Sequence, residues 1–134
     1  MPVDYEFLER FCVEILSQSR SLSWVGVTNH LGVILAQTCR DQTRPLLTEE
    51  ENEEYASSAV ARQKTRAKFE PKIGRLVYAF GRYEGLLRAT IPISNRFFGL
   101  VTFDPGEKHF DSIITDRILA ITKGYADHFA AMEE

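Results

Sequence analysis

Very little in this chain is suited to covalent or metal chemistry. It has two cysteines in 134 residues, Cys12 and Cys39, far apart in different predicted elements and without the paired spacing of a zinc site or redox couple. Both are expected as buried thiols, kept reduced in a cytoplasm. The three histidines, His30, His109 and His128, fall in a turn, a loop and a helix, with no His-x-x-x-His pair to hold a metal. Phosphate-cradling glycine loops are missing too, since Gly81-Arg82-Tyr83-Glu84-Gly85 reads as a hairpin and opens no helix. No serine or cysteine has a base beside it. The sequence thus points away from an enzyme, with no catalytic, cofactor-binding or metal-binding residues expected. No apolar run is long enough to span a bilayer, no Asn-x-Ser/Thr sequon occurs, and Met-Pro-Val-Asp is no export signal. A soluble, cytoplasmic protein without a membrane partner is the expectation.

What is present belongs to an ordinary folded protein. A hydrophobic content of 44% and a charged content of 26% are globular values, and the length suits one domain over residues 1–134 with a core of its own. The net charge of −3 conceals a division. From Arg62 to Arg96 nine basic residues face two acidic ones, while the remainder has seven basic and seventeen acidic. Such a split suits a contact surface.

Asp4 is a fair N-cap for a first helix, with Phe7, Leu8, Phe11, Cys12, Ile15 and Leu16 at helical spacing. Trp24 to Thr28 and Val33 to Thr38 read as strands. Between them, Asn29-His30-Leu31-Gly32 forms a turn with glycine at a positive-φ position. Gly26 leaves room for close approach to the backbone, most simply by a helix. Thr48-Glu49-Glu50-Glu51 is a capping box. The helix it opens carries acids early and bases late and ends before Pro71 and Gly74, with a thin stripe of Tyr55, Ala56, Ala59, Val60 and Gln63. Three strands follow, Arg75 to Tyr83, Leu86 to Ile93 and Arg96 to Phe103. Because Leu86/Leu87 and Phe97/Phe98 put apolar residues on both faces, the sheet needs cover on both sides. A last helix, capped by Asp111 or Ser112, presents Ile114, Ile118, Ile121, Tyr125, Phe129 and Met132, and Gly124 is a place for it to kink or fray.

The predicted class is α/β (α+β): a five-stranded antiparallel sheet in the order α-β-β-α-β-β-β-α. The first and last helices share one face and the thin central helix lies on the other. This order, with the Val25-Gly26-Val27, Asn29-His30-Leu31-Gly32, Val33-Ile34 hairpin, resembles the Roadblock/LC7 family and, at fold level, profilin-like and longin-like domains. Leu46-Leu47-Thr48-Glu49-Glu50, Glu70-Pro71-Lys72-Ile73-Gly74 and Arg88-Ala89-Thr90-Ile91-Pro92 are similar to segments of a family of short archaeal proteins, a likeness that implies kinship and no activity.

The Roadblock/LC7 resemblance implies a homodimer, with third strands paired edge to edge and central helices packed together. It also implies a platform for a small GTPase or scaffold protein. Carried onto this chain, the interface would be Tyr55, Ala59, Val60, Gln63, Leu76, Tyr78 and Phe80, with Leu76, Tyr78 and Phe80 on one strand face. Partner contact would fall to Lys64, Lys68, Lys72 and Arg75. Two other classes stay open. A PAS- or GAF-like sensor could line a pocket with Trp24, Tyr78, Phe80, Phe97 and Phe98, and would show a closed cavity of several hundred Å³. Nucleic-acid binding could use the basic stretch from Arg62 to Arg75, with Phe69 interleaved, although the acidic remainder would repel a polyanion.

Overall fold

The computed structural model describes residues 2–40 and 45–133. Helix α1 spans Tyr5–Leu16, and Asp4 caps it by accepting the Phe7 N–H at 3.1 Å. Its six buried residues are the six of the predicted stripe. Strands β1 (Leu22–Asn29) and β2 (Ile34–Cys39) follow, and Gly32 in the turn between them has φ +82°. Helix α2 (Glu49–Ala67) starts at the capping box: Thr48 Oγ1 accepts from Glu51 N–H, and Glu51 accepts from Thr48 N–H. A single turn, α3 (Glu70–Ile73), takes Pro71 in its first turn, where a missing N–H is harmless. Strands β3 (Ala79–Arg82), β4 (Leu87–Pro92) and β5 (Phe97–Phe103) complete a five-stranded antiparallel sheet in the order β2-β1-β5-β4-β3.

The third strand is shorter than expected, four residues in place of the stretch Arg75 to Tyr83. Continuing its register would set Val77 opposite Pro92, which has no N–H to give to a ladder. The C-terminal region is α4 (Phe110–Ser112), a π-helical turn over Ile113–Ile118, α5 (Leu119–Gly124) and α6 (Ala126–Met132). The break after Gly124 falls where the sequence places it. The cap does not: His109 occupies the N-cap without a side-chain bond. Asp111 instead accepts a hydrogen bond from the Tyr78 hydroxyl. Ile113, Ile114 and Ile118 of the π turn are all buried in the larger core.

The two faces of the sheet are covered unequally. The larger core joins α1 and the C-terminal helices to one face, through Phe11, Leu22, Leu87, Ile91, Phe103, Ile118 and Phe129. Phe11 and Phe129 meet edge-on at 5.0 Å. The other face holds a small cluster of Ala56, Ala59 and Leu100, with Trp24, Ile34 and Tyr55 at its margin. The same face buries Thr28, Arg88, Thr90 and Thr102, so it is more polar than paired apolar faces would be. Of the cysteines, Cys12 is buried, whereas Cys39 is exposed at the end of edge strand β2 and corrects the expectation for it. Among the described residues no helix is long and apolar enough to cross a membrane.

Candidate interaction face

The region singled out by the sequence is the side of the molecule formed by α2, α3 and β3. Helix α2 owes its place there to small residues. Ala56 and Ala59 are fully buried, Val60 and Gln63 nearly so, and an alanine stripe lets the helix axis come close to the sheet. The β1–β2 turn meets the same helix: a Cβ on Gly32 would lie 2.6 Å from the Ser57 Cα. Gly26 makes room for a different reason from the one expected. The indole of Trp24, two residues earlier on the same strand face, lies over it, and a Cβ there would be 2.5 Å from the ring.

Aromatic and cationic side chains tie α2 to the β3–β4 hairpin. The hydroxyls of Tyr55 and Tyr83 are 3.2 Å apart. The guanidinium groups of Arg88 and Arg62 lie 4.6 and 5.6 Å from the Tyr55 ring centre, in cation–π range. Burial, then the bond to Tyr83, pushes the Tyr55 phenol up to about 12. A cleft of about 130 Å³ at this junction is lined by Tyr55, Arg62, Arg66, Gly81, Tyr83 and Arg88. Nearby on α2, the buried Gln63 Nε2 has no hydrogen-bond partner among the described residues.

Strand β3 is the edge of the sheet on this side. Among the described residues it pairs with β4 alone, so its outward N–H and C=O groups find no strand there to bond. The segment leading into and out of it carries Phe69, Ile73, Val77 and Tyr83, large apolar side chains from 49 to 82% exposed. Sequence periodicity missed Ile73, Val77 and Tyr83 as surface groups. Val77 and Tyr83 share the face of the predicted strand opposite Leu76, Tyr78 and Phe80, so alternation alone reads them as covered.

The residues proposed for assembly therefore divide. Ala59, Val60 and Gln63 point inward onto the sheet, so α2 offers a neighbour its opposite side. Tyr78 and Phe80 pack against the larger core. Burial first, then the Asp111 carboxylate, pushes the Tyr78 phenol up to about 12, and Phe80 stacks on Phe110 at 3.9 Å. Leu76 is half-buried outside any strand, and Tyr55 is half-buried at the α2 margin. Lys64, Lys68, Lys72 and Arg75 are all exposed, on α2, at its end, on α3 and beyond it.

A second space opens on the α2 side of the sheet, a groove of about 790 Å³ between the start of α2 and the strands. Trp24, Leu46, Leu47, Asn52, Leu86 and Arg88 contribute to its walls. It is open to solvent, unlike the closed cavity expected of a PAS- or GAF-like sensor. Among the described residues no three His, Cys, Asp or Glu side chains gather as a metal site.

No family model and no curated protein matches this sequence. Solved structures do. Myxococcus xanthus MglB superposes with a TM-score of 0.75 at 12% identity, covering 98% of this chain and 94% of that one. A Roadblock/LC7 domain from Streptomyces avermitilis gives 0.72 at 7% identity, covering 92% and 98%. An MglB with a tetrameric arrangement gives 0.74 at 12% identity, covering 92% and 88%. Such identities speak for the fold alone, and the fold is Roadblock/LC7-like over nearly the whole chain.

Proposed function

We propose that this Roadblock/LC7-like domain is a non-catalytic interaction module. It pairs with a second copy along β3 and presents its α2 side to a protein partner, a small GTPase or a scaffold. The observation that carries the reading is the open edge of β3 flanked by exposed Phe69, Ile73, Val77 and Tyr83. An unpaired edge beside exposed apolar groups is a site for strand addition, and in an isolated chain it invites uncontrolled aggregation. A second copy placed antiparallel to the first would satisfy the backbone and cover those side chains together. The exposed bases Lys64, Lys68, Lys72 and Arg75 would remain at the rim, suited to an acidic partner surface. The tetrameric arrangement of an MglB of the same fold shows that protein self-associating, in line with pairing here.

The test is the mass in solution. Light scattering should give twice the 15.3 kDa of one chain, and Ile73→Asp with Val77→Asp should reduce it to that of one chain. Both side chains are exposed, so circular dichroism should be unchanged. A wild-type protein that stays at one chain's mass at the highest soluble concentration would refute pairing. Capture of a nucleotide-loaded small GTPase that is lost when Lys64, Lys68, Lys72 and Arg75 are reversed to Glu would support the partner assignment.

A further inference from the structure

Arg88 is 5% exposed, on the strand face that α2 covers. Trp24, Thr102 and Arg88 stand side by side in one row across β1, β5 and β4. On the far side of Arg88 the row continues to Gly81, which has no side chain. Arg88 Nε donates to Thr102 Oγ1 at 2.9 Å and Nη1 to Asn52 Oδ1 at 3.0 Å. Its guanidinium lies 5.1 Å from the Trp24 ring centre and 4.6 Å from that of Tyr55. All these partners are neutral. Among the described residues no carboxylate comes within ion-pair distance of Arg88, and its Nη2 makes no hydrogen bond.

Burying a cation without a counter-ion is costly, and a hydrophobic residue of similar size would fill such a place more stably. Arginine does not escape by shedding its proton, as lysine can. Burial does press on the guanidinium, holding its pKa below the usual value. What the position provides, and a methionine would not, is a fixed fork of donors at the wall of a groove. Two edges of that fork are oriented by Thr102 and Asn52, while the ring faces of Trp24 and Tyr55 hold its plane. The start of α2 is not the receptor, because its capping box already occupies Thr48 and Glu51. The groove beside Arg88 measures about 790 Å³, within the range of about 300–1,000 Å³ for small-molecule sites. Its other walls include Trp24, Leu46, Leu47 and Leu86, and the carboxylates of Glu49 and Asp104 also line it.

The geometry points to a binding site for a small organic carboxylate, its anionic end on the free Nη edge of Arg88 and its apolar body against Trp24, Leu46 and Leu86. This site is independent of pairing through β3.

The chain carries its own reporter, since Trp24 is its one tryptophan and lines the groove. Hexanoate should change the Trp24 emission saturably, and 1-hexanol, with the same chain and no charge, should bind at least about tenfold more weakly through loss of the charge-assisted hydrogen bonds. In Arg88→Met the two should become equal, at the weaker level, with the circular dichroism retained. Should that variant fail to fold, the wild-type comparison stands alone, joined by the ¹⁵N shift of the Arg88 Nε resonance on adding hexanoate. Equal binding of hexanoate and hexanol to the wild type would overturn the assignment. So would unchanged hexanoate binding by Arg88→Met, or no saturable response at all.

Discussion

The clamp between the β1–β2 turn and α2 can be tested at Gly32. Replacing it with alanine meets two separate penalties. Its φ of +82° puts an L-residue in the left-handed region, at about 1–2 kcal/mol. The added Cβ would also lie 2.6 Å from the Ser57 Cα, a backbone atom that moves only if α2 moves, and overpacking of this kind costs about 1–3 kcal/mol. Together the loss is about 2–5 kcal/mol, a large share of a typical domain stability of about 5–15 kcal/mol. Gly74 separates the two penalties. Its φ of +87° and ψ of 171° fall in a region that essentially only glycine enters, but among the described residues nothing lies within 4 Å of a Cβ built there. Gly74→Ala should therefore cost strain alone, about 1–3 kcal/mol. Urea denaturation followed by circular dichroism measures both. Hydrogen exchange should show the amides around Ser57 losing protection in Gly32→Ala only. If Gly32→Ala costs no more than Gly74→Ala and leaves α2 protected, the turn does not hold the helix, and the account of how α2 is seated is wrong.

Thiol titration of the native protein should find one fast group, Cys39, while Cys12, whose thiol is pushed up to about 12 by burial, reacts only on unfolding; two fast thiols would contradict the burial. Tyr55 and Tyr78 are raised to about 12 and Tyr125 is raised through its bond to Glu14, so three of the five tyrosines should ionise late in an absorbance titration. Because these folded-state values lie above the unfolded one, the stability they confer is complete below about pH 10 and is lost as pH rises toward 12. A stability flat across that interval would count against the hydrogen bonds of both hydroxyls. Thr48→Ala removes one half of the capping box and should lower stability by about 1 kcal/mol in denaturant unfolding; no change would mean the start of α2 is frayed.

The parts of this molecule that the sequence reveals are those fixed by local rules. Six apolar residues at helical spacing are enough to orient α1. Thr48 with Glu51 is enough to start α2, and Gly124 to interrupt the last helix. Element order then suffices for the Roadblock/LC7-like architecture. What stays hidden depends on contacts across the chain. The shortening of β3 is explained by Pro92, fifteen residues after the Val77 it would face, in a register no local pattern states. Arg88 reads in sequence as one base among nine, and only the row Trp24–Thr102–Arg88 reveals it as a buried cation. Gly26 does announce a close approach, but not that the visitor is the indole two residues back. The π turn over Ile113–Ile118 has no sequence signature at all.

Near the other end of the molecule, His128 stacks on Phe7 at 3.7 Å and contacts the Asp4 carboxylate at 3.4 Å, while the Asp4 N–H reaches the Met132 sulfur at 3.5 Å. The beginning and end of the fold are thus fastened together, on the side of the sheet away from α2. A fluorescent label or a fused protein attached at either terminus would leave from the back of the molecule, so tagging should be compatible with whatever docks in front. In the proposed antiparallel pair the backs of both copies face the same way, so a linker joining two copies in tandem would run along that side without passing around the sheet.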